Sequence, residues 1–222
     1  MYLNLVEWRD LISTMGQNAR TMKNIVALAL ALLVGACASQ SYSELPVGMQ
    51  SVASTGTIAI AVHDIRPYIV SRNKEESFVG LQRGGYGNPY DLKTPNGVPL
   101  AIEMRDSLIK ALKARGVSAV PVVIPVTDSP IEAREKLRDA RARRSVLVTL
   151  REWKTDTLMR TDFLFDTTVS VFDERGSELA SKTLRGTDAL GYSQAGGETI
   201  TKATAAKLDQ LFADPLIVSA LK

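Results

Sequence analysis

The sequence predicts an α+β domain: a mixed β-sheet with helices packed on it. Three observations carry this. Strand patterns alternate with helix patterns through the first half of the domain. Three consecutive strand patterns with no helix between them follow. The helical segments each show one apolar stripe, so they pack on the sheet and do not stand alone.

"TIAIAVHD" (Thr57–Asp64) is short, β-branched and mostly apolar, which suits a buried strand. Residues 65–98 follow as a long connection rich in Gly and Pro, in which "SFVGLQ" reads as a short edge strand. "PLAIEMRDSLIKALKARG" is a helix, with Pro99 in its first turn and Gly116 just past its end. Leu100, Met104, Leu108 and Leu112 form its stripe, with Ala101 and Ala111 beside them. Val117–Val126 is the next strand, at an edge or bulge because Pro121 lacks an N–H. The helix from Ser129 to Arg144 opens on a capping box, Ser129 with Glu132 around Pro130. Ser145–Trp153 is a strand. Asp162–Phe172 alternates, with Phe163, Phe165, Val169 and Val171 on one face. The turn "DERG" joins it to Ser177–Thr187 as a hairpin. A last long helix from about Glu198 to Phe212 turns Ile200, Ala203, Leu208 and Leu211 inward, and "DPLIVSAL" closes the chain. The order is strand, helix, strand, helix, three-strand meander, helix.

Ahead of the domain lie different signals. Ile25–Ala36 is apolar throughout, too short to span a bilayer, preceded by Lys23 and ended by the small residues Gly35 and Ala36. Cys37 follows, the only cysteine among 222 residues. The string "LVGAC" resembles the lipobox of bacterial lipoproteins. That resemblance implies that Val34, Gly35 and Ala36 are recognised by the signal peptidase and that Cys37 becomes an acylated first residue. Two or three acyl chains there hold a protein permanently, whereas one holds it reversibly. The alternative is a core helix ending in a buried free thiol. Ala38, where Asp would retain a lipoprotein in the inner membrane, implies the periplasmic face of the outer membrane. The acidic residues Glu7 and Asp10 suit no signal, so residues 1–21 read as a start-site extension ahead of Met22. The expected division is a signal region over 1–36, a Ser-rich lipidated tether over 37–56 and one periplasmic domain over 57–222.

Composition excludes several classes. Twenty-seven basic and 24 acidic residues leave a net charge of +3, too little for a dedicated nucleic-acid binder, and export argues the same way. One histidine and no cysteine after Cys37 make a metal site or a disulfide framework unexpected, and nothing implies a cofactor. His63 beside Asp64 has the makings of a catalytic base, but no nucleophile elbow accompanies it, so a structural histidine is the preferred reading. Glu103 and Asp106, three apart on a helix, are the candidates for a carboxylate-dependent hydrolase. "RGGYGNP" lacks the spacing of a dinucleotide loop. It displays Arg83, Tyr86 and Tyr90, residue types favoured at interfaces, and is the preferred binding loop. The basic run Arg134, Lys136, Arg138, Arg141, Arg143 and Arg144 is read as a solvated face, with a site for anionic lipid or cell-wall polymer as the alternative.

The lipobox, the strand ending "DIRP", the helix ending "KARG", the "FLFDTTVSVFDERG" hairpin and the final helix together resemble YajG-type bacterial lipoproteins, over roughly Gly56–Leu221. The layout is also distantly similar to the periplasmic domains of penicillin-binding-protein activator lipoproteins. The resemblance transfers no catalytic residues. The anchor, the tether, the single compact domain and the lack of a catalytic constellation point to a non-enzymatic, lipid-anchored protein that binds an envelope protein, peptidoglycan or lipid. The second reading is an auxiliary lipoprotein of an envelope transport or assembly machine that takes a lipid, and the third is the hydrolase.

Overall fold

The computed structural model describes residues 39–49, 52, 56–83, 87–192 and 195–222. Val34, Gly35, Ala36, Cys37 and Tyr86 lie outside the described residues, as does the whole signal region.

The elements are β1 (Ile58–Asp64), α1 (Pro67–Val70), β2 (Phe78–Arg83), β3 (Pro89–Lys93), α2 (Leu100–Ala114), β4 (Ala119–Pro121), α3 (Pro130–Asp139), β5 (Arg144–Thr157), β6 (Arg160–Asp173), β7 (Glu178–Tyr192), α4 (Gly197–Phe212) and α5 (Pro215–Ala220). The α+β class and the mixed sheet are as expected.

β5 organises the sheet. One of its edges runs antiparallel to β6 along its whole length, and β6 in turn pairs with β7. Two strands share its other edge end to end: β1 lies parallel to residues 144–150, and β2 lies parallel to Thr155–Thr157. β4 adds to β1 and β3 to β2. Gly80 makes the β2–β5 contact possible, because a Cβ there would stand 2.3 Å from Thr155 Oγ1 and 2.8 Å from its carbonyl oxygen.

Arg66 fills the junction between β1 and β2. Its Nη1 donates to the carbonyls of Phe78 (2.8 Å) and Trp153 (2.9 Å), and its Nε and Nη2 clasp both carboxylate oxygens of Asp64 (2.8 and 2.6 Å). Both side chains are buried. Two orphan carbonyls and one buried carboxylate are therefore satisfied by one planar fork.

The main core lies on one face, under α2, α4 and α5. Leu100, Met104, Leu108 and Leu112 are all buried there, as are Leu208 and Leu211 of α4 and Phe163, Phe165, Val169 and Val171 of β6. Each such side chain contributes ~1.5–3 kcal/mol by leaving water. A smaller cluster on the opposite face puts Ala133 and Leu137 of α3 over Ala59, Ala61, Leu147 and Phe172.

Several expectations need correction. Residues 65–98 are not one loop but α1 followed by a β2–β3 hairpin, and "SFVGLQ" is an interior strand flanked by β3 and β5. The Gly and Pro residues around "PYDLK" hide its strand character. The helix expected to reach Arg144 stops at Asp139. Ala140 caps it, Arg141 adopts φ 50°, and Arg144 already belongs to β5. The strand at Pro121 is an edge strand, as read, but only three residues long. β5 carries an extra residue between Leu150 and Glu152, so the inward set passes from Val146, Val148 and Leu150 to Trp153 and Thr155.

The tether reading fails for residues 39–49. Tyr42, Leu45, Val47 and Met49 are buried in the main core. Tyr42 N donates to Glu103 Oε2 (2.7 Å), Leu45 N to Ser107 Oγ (2.9 Å), and Gly48 N and Met49 N to Asp209 Oδ1. The segment is a strap across α2 and α4. Its polar Ser-rich letters concealed an apolar residue at every second or third position.

Candidate binding surface at the sheet tip

The C-terminal ends of β2, β5 and β7 and the N-terminal ends of β3 and β6 meet at one end of the sheet. The register shows this directly: Arg83 pairs with Pro89, Gln82 with Tyr90 and with Thr157, Thr157 with Thr161, and Arg160 with Tyr192. Among the described residues this end carries four exposed large side chains: Tyr90 (62%), Leu158 (59%), Met159 (81%) and Tyr192 (93%). Leu158 and Met159 form the β5–β6 turn, where Gly, Asn and Asp are the usual residues. Apolar side chains exposed at a hairpin turn gain little from folding, because they leave water only when something covers them.

Leu158 and Met159 line a hollow of about 480 Å³ together with Arg83, Asp156, Arg160, Asp162, Leu164 and Thr187. Its charges are balanced. Arg83 donates to both oxygens of Asp156 (3.1 and 3.0 Å), and Arg160 Nε to Asp162 (3.1 Å). Paired in this way, the guanidiniums set up no positive field for phosphate. Apolar knobs ringed by neutralised ion pairs suit a protein surface better than a polyanion.

Of the residues singled out in the sequence, Arg83 and Tyr90 stand at this end, with Arg83 paired to Asp156. Leu158, Met159 and Tyr192 were missed, although "TDTLMRTD" carried a signal: an apolar pair at a polar turn.

The other candidate residues are not brought together. Glu103 is buried beneath the strap, its carboxyl pushed above the ordinary range by burial and pulled back by the Tyr42 N–H. Asp106 is exposed and paired with Arg105 (2.6 Å). The two share no site, which removes the proposed hydrolase pair. The basic run is dispersed as well. Lys136 pairs with Asp128 (2.5 Å), Arg134 lies over the Phe172 ring, and Arg144 Nε donates to Ala220 O. Among the described residues no group of three His, Cys, Asp or Glu side chains is placed to hold a metal, and no helix is long and apolar enough to cross a membrane.

His63 is buried at the end of β1, and its Nε2 has no hydrogen-bond partner among the described residues. Burial lowers its pKa below the usual histidine value, against the opposing pull of Asp128 and Asp64. A neutral folded imidazole leaves stability whole above the unfolded pKa near ~6.5 and erodes it as pH falls below that value. The melting temperature is therefore expected to drop between pH 7 and 5.5, with a slope of at most ~1.4 kcal/mol per pH unit for one proton. Because His63 is the only histidine, His63→Gln should remove that slope. An equal slope in the variant would place the titration elsewhere.

The chain matches no family model and no curated protein sequence. Among solved structures it is similar to XCC0632 from Xanthomonas campestris, a DUF330 protein, at 14% identity over 82% of this chain and 93% of that one, with a TM-score of 0.48. It is similar to a PelC dodecamer from Paraburkholderia phytofirmans at 18% identity over 72% and 89% of the two chains, with a TM-score of 0.41. To the lipoprotein GNA1162 from Neisseria meningitidis it is similar at 15% identity over 70% and 96%, with a TM-score of 0.31. Scores at this level compare layouts and assign no function.

Proposed function

We propose that this chain is a YajG-type envelope lipoprotein, acylated at Cys37 and held at the periplasmic face of the outer membrane, which works without catalysis by docking another envelope protein on its sheet tip. The observation that carries the docking is the exposure of Tyr90, Leu158, Met159 and Tyr192 at one end of the sheet. The anchor rests on the lipobox string and on Lys23 and the apolar run ahead of it.

The test is made in the intact envelope, with a photo-crosslinking residue at Met159. One discrete protein adduct is expected. Changing Leu158, Met159 and Tyr192 together to serine, with the crosslinker moved to Tyr90, should weaken that adduct at least about tenfold, or ~1.4 kcal/mol. Stability should stay within about 0.5 kcal/mol, as for ordinary surface changes. Cys37→Ser should leave an unacylated precursor in the inner membrane. Adducts to lipid or peptidoglycan alone would overturn the protein-docking reading. A Cys37→Ser protein of mature size in the outer membrane would overturn the anchor.

A further inference from the structure

Among the described residues the sheet has three outer edges, and two of them belong to short strands. β4 is three residues long and ends in Pro121, which has no N–H to offer. β3 is capped by the strap, where Ser39 bridges to Lys93 and Gln40 N donates to Lys93 O (3.0 Å). β7 is different. It runs from Glu178 to Tyr192 without proline and pairs only with β6. Among the described residues no backbone bond joins its other edge to a further element. Its side chains alternate between half-buried and exposed along most of its length. An edge this long is a template for another strand. The charges on its helix side are turned away and tied down, Lys182 to Asp214 (3.0 Å) and Asp188 to Lys207 (2.7 Å).

The geometry points to a second copy of this chain as the occupant, its β7 antiparallel to this one and centred on Leu184. A two-fold antiparallel pairing must centre on a residue, because opposed pairs alternate between hydrogen-bonded and non-bonded types. Few centres are acceptable here. Centring on Lys182, Arg185 or Asp188 opposes each to itself, and centring on Thr183 opposes Glu178 to Asp188. Like charges directly opposite destabilise a pair. Centring on Gly186 sets two charges against leucines inside the pair, Lys182 against Leu190 and Asp188 against Leu184, whereas centring on Leu184 sets only the terminal Glu178 against a leucine, Leu190, and Asp188 against Ala180. Centred on Leu184, the whole span Glu178–Leu190 overlaps with no like charges opposed. Leu184 meets Leu184, Arg185 meets Thr183, Lys182 meets Gly186, and Leu179 meets Ala189. The two copies then form one continuous sheet through β6, β7 and their mates. This pairing is independent of the tip and of the anchor.

The test uses the full chain, purified in detergent, by sedimentation equilibrium. Wild type is expected to dimerise reversibly. Thr183→Lys places a cation opposite Arg185 twice over and should weaken the dimer at least about tenfold. Thr183→Glu places an anion there and should bind at least as tightly as wild type. Both changes sit on the exposed side of β7 and lose the same hydroxyl bond to Thr168 (2.7 Å), so the melting temperatures of the two variants should match each other. Register is read by oxidation, as the disulfide-linked dimer formed beyond that of wild type, whose one cysteine is Cys37. Leu184→Cys should give a disulfide-linked dimer, since opposed Cα atoms ~4.5–5.5 Å apart fall within the span a disulfide needs. Ser181→Cys, opposite Thr187, should give none. A wild-type monomer at every concentration, equal behaviour of the lysine and glutamate variants, or equal crosslinking at 181 and 184 would each overturn the pairing.

Discussion

Arg66→Ala should cost the domain about 3–5 kcal/mol, the range for breaking a buried ion pair by removing one partner. Truncation leaves the Asp64 carboxylate buried with no counter-charge and strands the carbonyls of Phe78 and Trp153. Most domains hold ~5–15 kcal/mol in all, so chemical denaturation should show a large shift of the midpoint. Arg66→Lys should recover little, because an ammonium cannot clasp a carboxylate bidentately while reaching two carbonyls. Asp64→Asn with Arg66→Met separates the two roles. If the arginine mattered only as a counter-ion, the double variant would be near wild type. The expectation is that it stays well below, since both carbonyls remain unpaired in it. A loss under ~1 kcal/mol for Arg66→Ala would mean that water reaches the junction and that the burial seen here is not maintained.

Trp153→Ala should come next, at about 3–5 kcal/mol, the cost of removing a large aromatic from a packed core. Trp153 is fully buried and meets Phe163 edge-on, with ring centroids 5.0 Å apart. Its indole Nε1 has no acceptor among the described residues. Trp153→Phe should therefore cost much less than the alanine change, because it discards a buried N–H that is already unpaired. If the phenylalanine variant were as damaged as the alanine one, the indole nitrogen would have a partner after all, and the packing around Leu150 and Phe165 would need another account. Urea midpoints of the two variants decide this.

Much of the fold was legible. The stripe Leu100, Met104, Leu108 and Leu112, the Ser129–Glu132 capping box, the alternation from Phe163 to Val171 and the edge position of Pro121 all depend on neighbours within a turn or a strand, so the letters carry them. Other features depended on contacts far along the chain. Trp153 points inward because of the extra residue after Leu150, and strict alternation would have turned Glu152 inward. The strap was hidden because its partners, Glu103, Ser107 and Asp209, lie some 60 to 160 residues away. "DIRP" stood out as a string, yet its job as the plug between two strands could not be read from it.

The candidate site divides the same way. Arg83 and Tyr90 were visible as interface residue types in a glycine-rich hairpin, while Leu158, Met159 and Tyr192 joined them only when the register of five strands brought their ends together. By itself the sequence determined the class of fold, the capped helices and the alternating strands, because local sterics and burial periodicity act over a few residues. It also determined the expectation of an anchor, since a lipobox is a string of letters and not a shape. Only the tertiary structure decided which apolar residues were left outside, which carboxylates were used up beneath the strap and which edge of the sheet stayed open. Exposure is what remains after every long-range contact has been made, and no local pattern contains that remainder.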